Sequence, residues 1–271
     1  LSMDLLPAVT TLAQRMAGGL NSFALLAIPF FVLSGLLMGR GGIAKRLIEA
    51  AMALVGSLPG GLALVNVLSC MLFGAISGSA VAATSAIGSF MVPEMKKQGY
   101  DVNYSAAVTA AAATTGMLIP PSNIMIVYAI ASGGVSIAAL FVAGYLPGIL
   151  LGIGLMLVCA GYAKMKGYPL AARLPLSLTF SKLAAAIPSL LMIVLVIGGI
   201  ISGAFTATEA GAIAVVYSFI LAVCVYREVK VKELPAILLK SAETTAIVMA
   251  LIATSAAMSW ILSYENIPQT V

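Results

Sequence analysis

Residues 62–92 read LALVNVLSCMLFGAISGSAVAATSAIGSFMV, a run without one charged side chain. As a single helix rising 1.5 Å per residue it would reach roughly 46 Å, well past the ~30 Å hydrocarbon core of a bilayer. It has to bend, and Ser77-Gly78-Ser79 is where the sequence permits it. The two arms, about 14 residues each, are too short to cross and suit a re-entrant helical hairpin. A second interruption follows at residues 116–123, GMLIPPSN. Unpaired N–H and C=O groups cost several kcal/mol each in lipid, so a helix broken at membrane depth must be buried in protein or line a cavity. Two such breaks close together predict a binding site built from hydroxyls, amides and carbonyls, the ligands of a hard cation or a polar solute.

The rest of the composition agrees with a bilayer. Hydrophobic residues make up 62% of the chain and charged residues 8%, with a mean hydropathy of +1.13, against roughly 25% charged in a soluble domain. The windows suit helices of about 20 residues and are too continuous for the alternating strands of an outer-membrane barrel. The fold class is therefore an all-α polytopic membrane protein. Cys70, Cys159 and Cys224 each sit inside an apolar run with no paired spacing, which indicates neither a disulfide framework nor a metal cluster. The net charge of +5 comes from Lys and Arg gathered in short loops. That is the positive-inside bias of a membrane protein, and it gives no reason to expect nucleic acid as a partner.

Taken in order, residues 1–58 are read as N-terminal spans and an interfacial helix. Residues 1–18 are mixed, carrying Asp4 and Arg15, and suit a broken or interfacial piece. A span follows with Pro29 inside it, and then Ile43 to Leu58 sets Lys45, Arg46 and Glu49 against Ile43, Leu47, Ile48, Ala51 and Leu54, the pattern of a helix lying in the interface. Residues 59–163 form a first repeat, with the hairpin at 62–92 and a proline-broken helix at 104–132. Residues 164–182, with Lys164, Lys166, Arg173 and Lys182, read as a cytoplasmic loop, and 183–271 as the start of a second repeat. Treating 62–92 as a hairpin puts every cationic loop on one side, whereas a full span would place Lys96 and Lys97 opposite. The chain begins at Leu1 without a Met and stops at Val271 beside an apolar segment, as a piece of a longer protein would.

Each motif has a plainer alternative. Gly74 and Gly78 also make a Gly-x-x-x-Gly pair, a packing feature of membrane helices. Pro120 and Pro121 lack N–H groups, so the carbonyls of Gly116 and Met117 are expected to lose their helical donors and be free to coordinate; a proline kink relieved by neighbouring helices is the alternative. Thr206-Ala207-Thr208-Glu209 has capping-box spacing, which makes Glu209 a helix start and not a proton carrier. Glu243 with Lys240 suits an exposed pair. The chain has no histidine, and Asp4 and Asp101 fall outside the apolar cores. Catalytic dyads and His-ligated metals are thereby removed, and a membrane enzyme ranks last. No acidic residue sits mid-span, so neutral oxygens favour Na⁺ over H⁺ as the coupling ion, with no further cofactor.

Phe73-Gly74-Ala75-Ile76-Ser77-Gly78-Ser79-Ala80, Ala86-Ile87-Gly88, Pro93-Glu94-Met95, Gly99-Tyr100 and Gly116-Met117-Leu118-Ile119-Pro120-Pro121-Ser122 resemble the large membrane subunit of tripartite ATP-independent periplasmic (TRAP) transporters. Ala143-Gly144-Tyr145-Leu146-Pro147-Gly148 and Gly203-Ala204-Phe205-Thr206-Ala207-Thr208-Glu209-Ala210-Gly211-Ala212 fit the same family, in the same order. The resemblance implies an elevator-type secondary transporter with inverted repeats in the bacterial or archaeal cytoplasmic membrane. It also implies a small membrane subunit and a periplasmic substrate-binding protein as partners, and a carboxylate-bearing organic solute. By matching motif, an Na⁺ site would use Ser77, Gly78 and Ser79 with Gly116, Ile119 and Pro121, and Ser122 and Asn123 would lie beside the solute. A second hairpin and second proline break do not occur in this sequence, so a chain ending at Val271 is not expected to transport by itself. The alternatives are a hairpin-containing carrier that works without a binding protein, and a non-transporting membrane scaffold.

Overall fold

The computed structural model describes residues 4–132, 134–169 and 175–265. Arg173 and Gly133, and the outermost residues of the first and last segments read above, lie outside them. Helix α1 (Leu5–Leu20) leads through a 3-10 turn (Phe23–Leu26) into α2 (Ala27–Arg40) and α3 (Ile43–Val55). Then come α4 (Gly61–Ser77), α5 (Ala80–Lys97), α6 (Val102–Gly116), α7 (Asn123–Ala131) and α8 (Ile137–Lys166). Next are α9 (Leu176–Ile201) and α10 (Ala207–Phe219), the latter running on as a π-helical turn (Ile220–Val225). A short 3-10 turn (Val231–Glu233) precedes α11 (Leu234–Tyr264), and no strand occurs among the described residues. Among the described residues five stretches are long and apolar enough to cross a membrane: Phe23–Arg40, Ile137–Lys166, Ser177–Ile201, Ala207–Val225 and Val231–Tyr264.

Helix α4 is the centre. It is apolar on every face, and nearly all of it is buried, from Leu62 and Val65 to Phe73 and Ile76. A helix hydrophobic all round needs neighbours on all sides, and α4 has α2, α3, α5, α6 and α8. By contrast α8, α9 and α11 expose Leu146, Val158, Val194 and Leu251, the surface a bilayer would cover.

The chain reverses between α4 and α5. Gly78 caps α4 in the left-handed region at φ +61°, its N–H bonded to the Gly74 carbonyl at 2.7 Å. At the opposite end of the arms the Asn66 amide reaches the Met95 sulfur at 3.7 Å, so the two helices run antiparallel and side by side. With 17 and 18 residues the arms are about 26 Å long, longer than the uncharged window suggests. Away from the tip, α4 begins at Gly61 and α5 continues through Pro93, Lys96 and Lys97.

Small residues let α4 and α6 touch backbone to backbone. A Cβ on Gly74 would stand 2.7 Å from the Gly116 Cα, and one on Gly116 would stand 2.7 Å from the Cys70 carbonyl oxygen. Gly35 of α2 meets the backbone of Ser77 in the same way, and Gly211 sets α10 against Ala27 and Phe30. Lipid gives apolar helices no hydrophobic reason to associate, and close backbone packing takes over that role.

Three local readings change. Residues 5–20 form one continuous helix laid along α11, with Gly19 against Ala256. On the apolar stripe of α3, Ile43, Leu47 and Ala51 are buried where α3 packs on α4 and α9, while Ile48 is half-buried and Leu54 exposed; an amphipathic pattern marks a covered face without saying what covers it. The two ends of the connection placed at 164–182 are helical: Lys164 and Lys166 close α8, and Lys182 lies inside α9. The cationic ends still gather on one side. Arg46 stacks on the Tyr226 ring at 3.6 Å and approaches Glu228 at 4.0 Å. Gly60 abuts Ala163, and Tyr168 stacks on Tyr100 at 4.1 Å while its hydroxyl accepts from the Asp101 N–H.

Gly74→Leu is expected to lower the melting temperature of the full-length protein, because overpacking of about 1–3 kcal/mol falls on backbone atoms that cannot step aside. Gly154→Ala, where a Cβ meets nothing within 4 Å, is expected to hold or raise it. A thermal scan of both variants checks this.

Candidate functional site

The two interruptions meet. A Cβ built on Gly78 would lie 2.9 Å from the backbone nitrogen of Asn123 and 3.2 Å from its side-chain nitrogen, so the hairpin tip sits on the first turn of α7. Helix α6 ends at Gly116, and residues 117–122 cross to α7 through a cis Pro120–Pro121 peptide. Pro120, Pro121 and Ser122 are buried. Helix α8 backs the crossing: Gly144 accommodates the Leu118 carbonyl and the end of Met125, while Gly148 accommodates Ile119. This is what the Ala143-to-Gly148 motif does, since any larger residue at either glycine would push the broken segment inward.

The hydrogen-bond inventory separates used oxygens from spare ones. Met117 N–H bonds to Thr114 O at 3.2 Å, Leu118 N–H to Thr115 O at 3.1 Å and Ile119 N–H to Gly116 O at 3.3 Å. The Gly116 carbonyl is therefore not freed by the prolines. A tighter turn replaces the lost helical donor with the next available N–H. The carbonyls of Gly78, Met117, Leu118, Ile119, Pro120 and Pro121 receive no hydrogen bond among the described residues. Two side-chain oxygens are also buried and unpartnered, Ser122 Oγ and Asn123 Oδ1. Buried polar atoms are nearly always paired, and of the six buried side-chain oxygens without a partner among the described residues these two fall at the break.

The tip serines divide the work. Ser79 is the N-cap of α5: its Oγ accepts from the Ala82 N–H at 3.2 Å, and its carbonyl accepts from Ala83 N–H at 2.9 Å. Ser77 Oγ lies 3.4 Å from both the N–H and the carbonyl of Ser79. Of the residues singled out from sequence, Ser77, Gly78, Ser122 and Asn123 come together at the tip. Gly116 lies one step below, against Cys70 and Gly74, and Ile119 turns toward α8. A crevice of about 1240 Å³ between α1, α7 and α11, with Arg15, Gln14 and Ser259 in its walls, reaches Ile124 next to Asn123. Sequence reading passed over Asn66 and Thr109, whose 2.7 Å hydrogen bond joins α4 to α6 beneath the site. A lone amide inside an uncharged window was the available signal.

The capping box at the start of α10 is formed. Thr206 N–H bonds to Glu209 Oε2 at 2.8 Å, and Glu209 N–H to Thr206 Oγ1 at 3.3 Å. Thr208 Oγ1 adds a bond to the Phe23 carbonyl at 3.3 Å, so this motif docks α10 beside α2 and takes no part in the breaks. Glu243 pairs with Lys240 at 3.0 Å on an exposed face.

Over residues 1–271 the chain matches the family model described as the DctM component of the tripartite ATP-independent periplasmic transporter. The chain belongs to that family. It is 52% identical over 264 residues to the uncharacterized protein YgiK of Salmonella typhimurium, covering 97% of this chain and 60% of that protein. It is 44% identical over 264 residues to the C4-dicarboxylate TRAP transporter large permease protein DctM of Pseudomonas aeruginosa, covering 97% and 62%. It is 39% identical over 263 residues to the 2,3-diketo-L-gulonate TRAP transporter large permease protein YiaN of Escherichia coli, again 97% and 62%. The chain thus spans about three-fifths of the length of these relatives. Membership makes the DctM-family chain a multi-pass inner-membrane transporter component and not an enzyme.

The two kinds of serine respond differently to deletion of the hydroxyl. Ser79→Ala removes a cap and is expected to cost about 1 kcal/mol of stability. Ser122→Ala removes a buried hydroxyl with no partner and is expected to leave stability unchanged or slightly raised. Thermal melts of the two full-length variants in K⁺ buffer distinguish them.

Proposed function

We propose that the full-length protein is the large permease of an Na⁺-coupled TRAP transporter that imports a carboxylate-bearing organic solute delivered by a periplasmic binding protein, together with a small membrane subunit. The observation that carries this is the meeting of Gly78 with Asn123, beside carbonyls without a hydrogen bond and the unpartnered buried side-chain oxygens of Ser122 and Asn123. Neutral oxygens at a helix break suit a hard monovalent cation, which gains in coordination what these groups lack in hydrogen bonds.

Within this proposal Ser77 Oγ, the Gly78 carbonyl and carbonyls of the 117–121 crossing, including Ile119 and Pro121, are the ion's ligands. Ser79 shapes the tip as a cap, and Gly116 sets the approach of the helices. Ser122 and Asn123 lie on the solute side, where the positive N-terminal end of α7 favours a carboxylate. The solute class is supported by the names of relatives that carry a C4-dicarboxylate or 2,3-diketo-L-gulonate. The hairpin and the broken helix, held together around α4, would move as one body past the remaining spans, in the manner of an elevator.

Proteoliposomes containing the full-length permease and its small subunit provide the test, with uptake driven by an Na⁺ gradient, a proton gradient or ATP. Uptake is expected only with Na⁺ and only when the soluble binding protein is present. Uptake indifferent to Na⁺ would overturn the coupling, and uptake without the soluble protein would favour a self-sufficient carrier. The Ser77→Ala variant is expected to raise the half-saturating Na⁺ concentration ~10-fold, the effect of losing about 1.4 kcal/mol of ion binding.

A further inference from the structure

Asn66 is fully buried, and three helices meet on it. One hydrogen of its amide is given to Thr109 Oγ1 of α6 at 2.7 Å, and the Met95 sulfur of α5 lies 3.7 Å from the same nitrogen. Its Oδ1 accepts the Cys70 thiol at 3.6 Å within α4. Thr109 passes the chain on by donating to the Ser105 carbonyl at 2.8 Å. Donor and acceptor capacities are both used, so this is a satisfied network and not a second open site.

Its value lies in what stands above it. Asn66, Cys70 and Gly74 follow one another at helical spacing on one face of α4 and lead to Ser77 and Gly78. On α6, Thr109 lies two turns before Gly116. Asn66 faces Thr109 and Gly74 faces Gly116, so the two helices climb side by side and open at the same level. Between Asn66 and the tip their contact is made by small residues, which set how close the backbones come and leave sliding along the axis nearly free. A short directional hydrogen bond does not, since it weakens as its length passes the usual range of about 2.7–3.2 Å. A slip of a single residue is about 1.5 Å, against a tolerance of roughly 0.2 Å for metal–oxygen distances.

We infer that the Asn66–Thr109 hydrogen bond is a register pin. It sets the height of the Gly78 carbonyl against the carbonyls of residues 117–121, and so Asn66 and Thr109 are positioning residues for ion affinity although neither touches the ion. A single buried amide fixes helix register in the same way in coiled coils. This inference rests on the reading of the two breaks as an Na⁺ site.

The test uses purified full-length permease and Na⁺ itself as the probe. The rise in melting temperature is followed as NaCl replaces KCl at constant ionic strength. Asn66→Leu and the near-isosteric Thr109→Val are each expected to raise half-saturating Na⁺ ~10-fold, and the double variant no further, since contacting residues couple. Thr109→Ser keeps the hydroxyl and is expected to stay near the parent value. A lower melting temperature in K⁺ with unchanged half-saturation in Thr109→Val would overturn the pin and leave a merely structural bond. If Ser77→Ala shifts the Na⁺ response while Thr109→Val does not, only the pin falls. If the parent protein shows no Na⁺-specific stabilisation, the pin falls together with the site beneath it.

Discussion

An open peptide group inside hydrocarbon costs several kcal/mol, and this molecule opens its helices at two breaks that meet at Gly78 and Asn123. The tip of the α4–α5 hairpin and the crossing from α6 to α7 carry a set of unpartnered carbonyls. They can exist there because protein encloses them. Helix α4 is buried along its length, α2 closes on Ser77 through Gly35, and α8 closes on Leu118 and Ile119 through Gly144 and Gly148. The surrounding helices thus serve the breaks, keeping lipid off them while leaving a crevice beside α7.

Glycine does most of that enclosing. At Gly74, Gly116, Gly35 and Gly211 a single carbon would strike a neighbouring helix, so backbone atoms are themselves the packing surface. Contact of this kind gathers many weak dispersion contacts without help from water. It has little directional content, however. The few buried polar links, Asn66 to Thr109 and Ser34 to Ser218 at 2.8 Å, supply what the glycines lack by tying particular residues of separate helices to one another.

The hairpin and the proline break were legible from the sequence because each violates a simple length or donor rule. An uncharged run too long for a bilayer has to turn, and a proline pair cannot continue a helix. The capping box at Thr206 and Glu209 was legible for the same reason, since its spacing is its geometry. Less was legible where a partner mattered. The stripe on α3 shows a covered face, and only α4 and α9 show that the cover is protein. The missing proline N–H groups point to free carbonyls at Gly116 and Met117, yet Ile119 turns back onto Gly116 and moves the spare acceptors one residue onward. Ser79 reads as a ligand by its neighbourhood, and only the fold shows that its hydroxyl also caps α5.

Local chemistry alone therefore decides that this chain is helical, that it belongs in a membrane, and where its helices come apart: hydrophobicity, charge and proline act within a few residues of themselves. Which oxygens remain unpaired, and that Gly78 meets Asn123 across the fold, follows from contacts between residues some forty positions apart in a chain whose small side chains let backbones touch. Such contacts depend on how three helices are set in height and rotation. No window of sequence carries that information, because sliding one smooth helix along another changes the site while leaving every local preference satisfied.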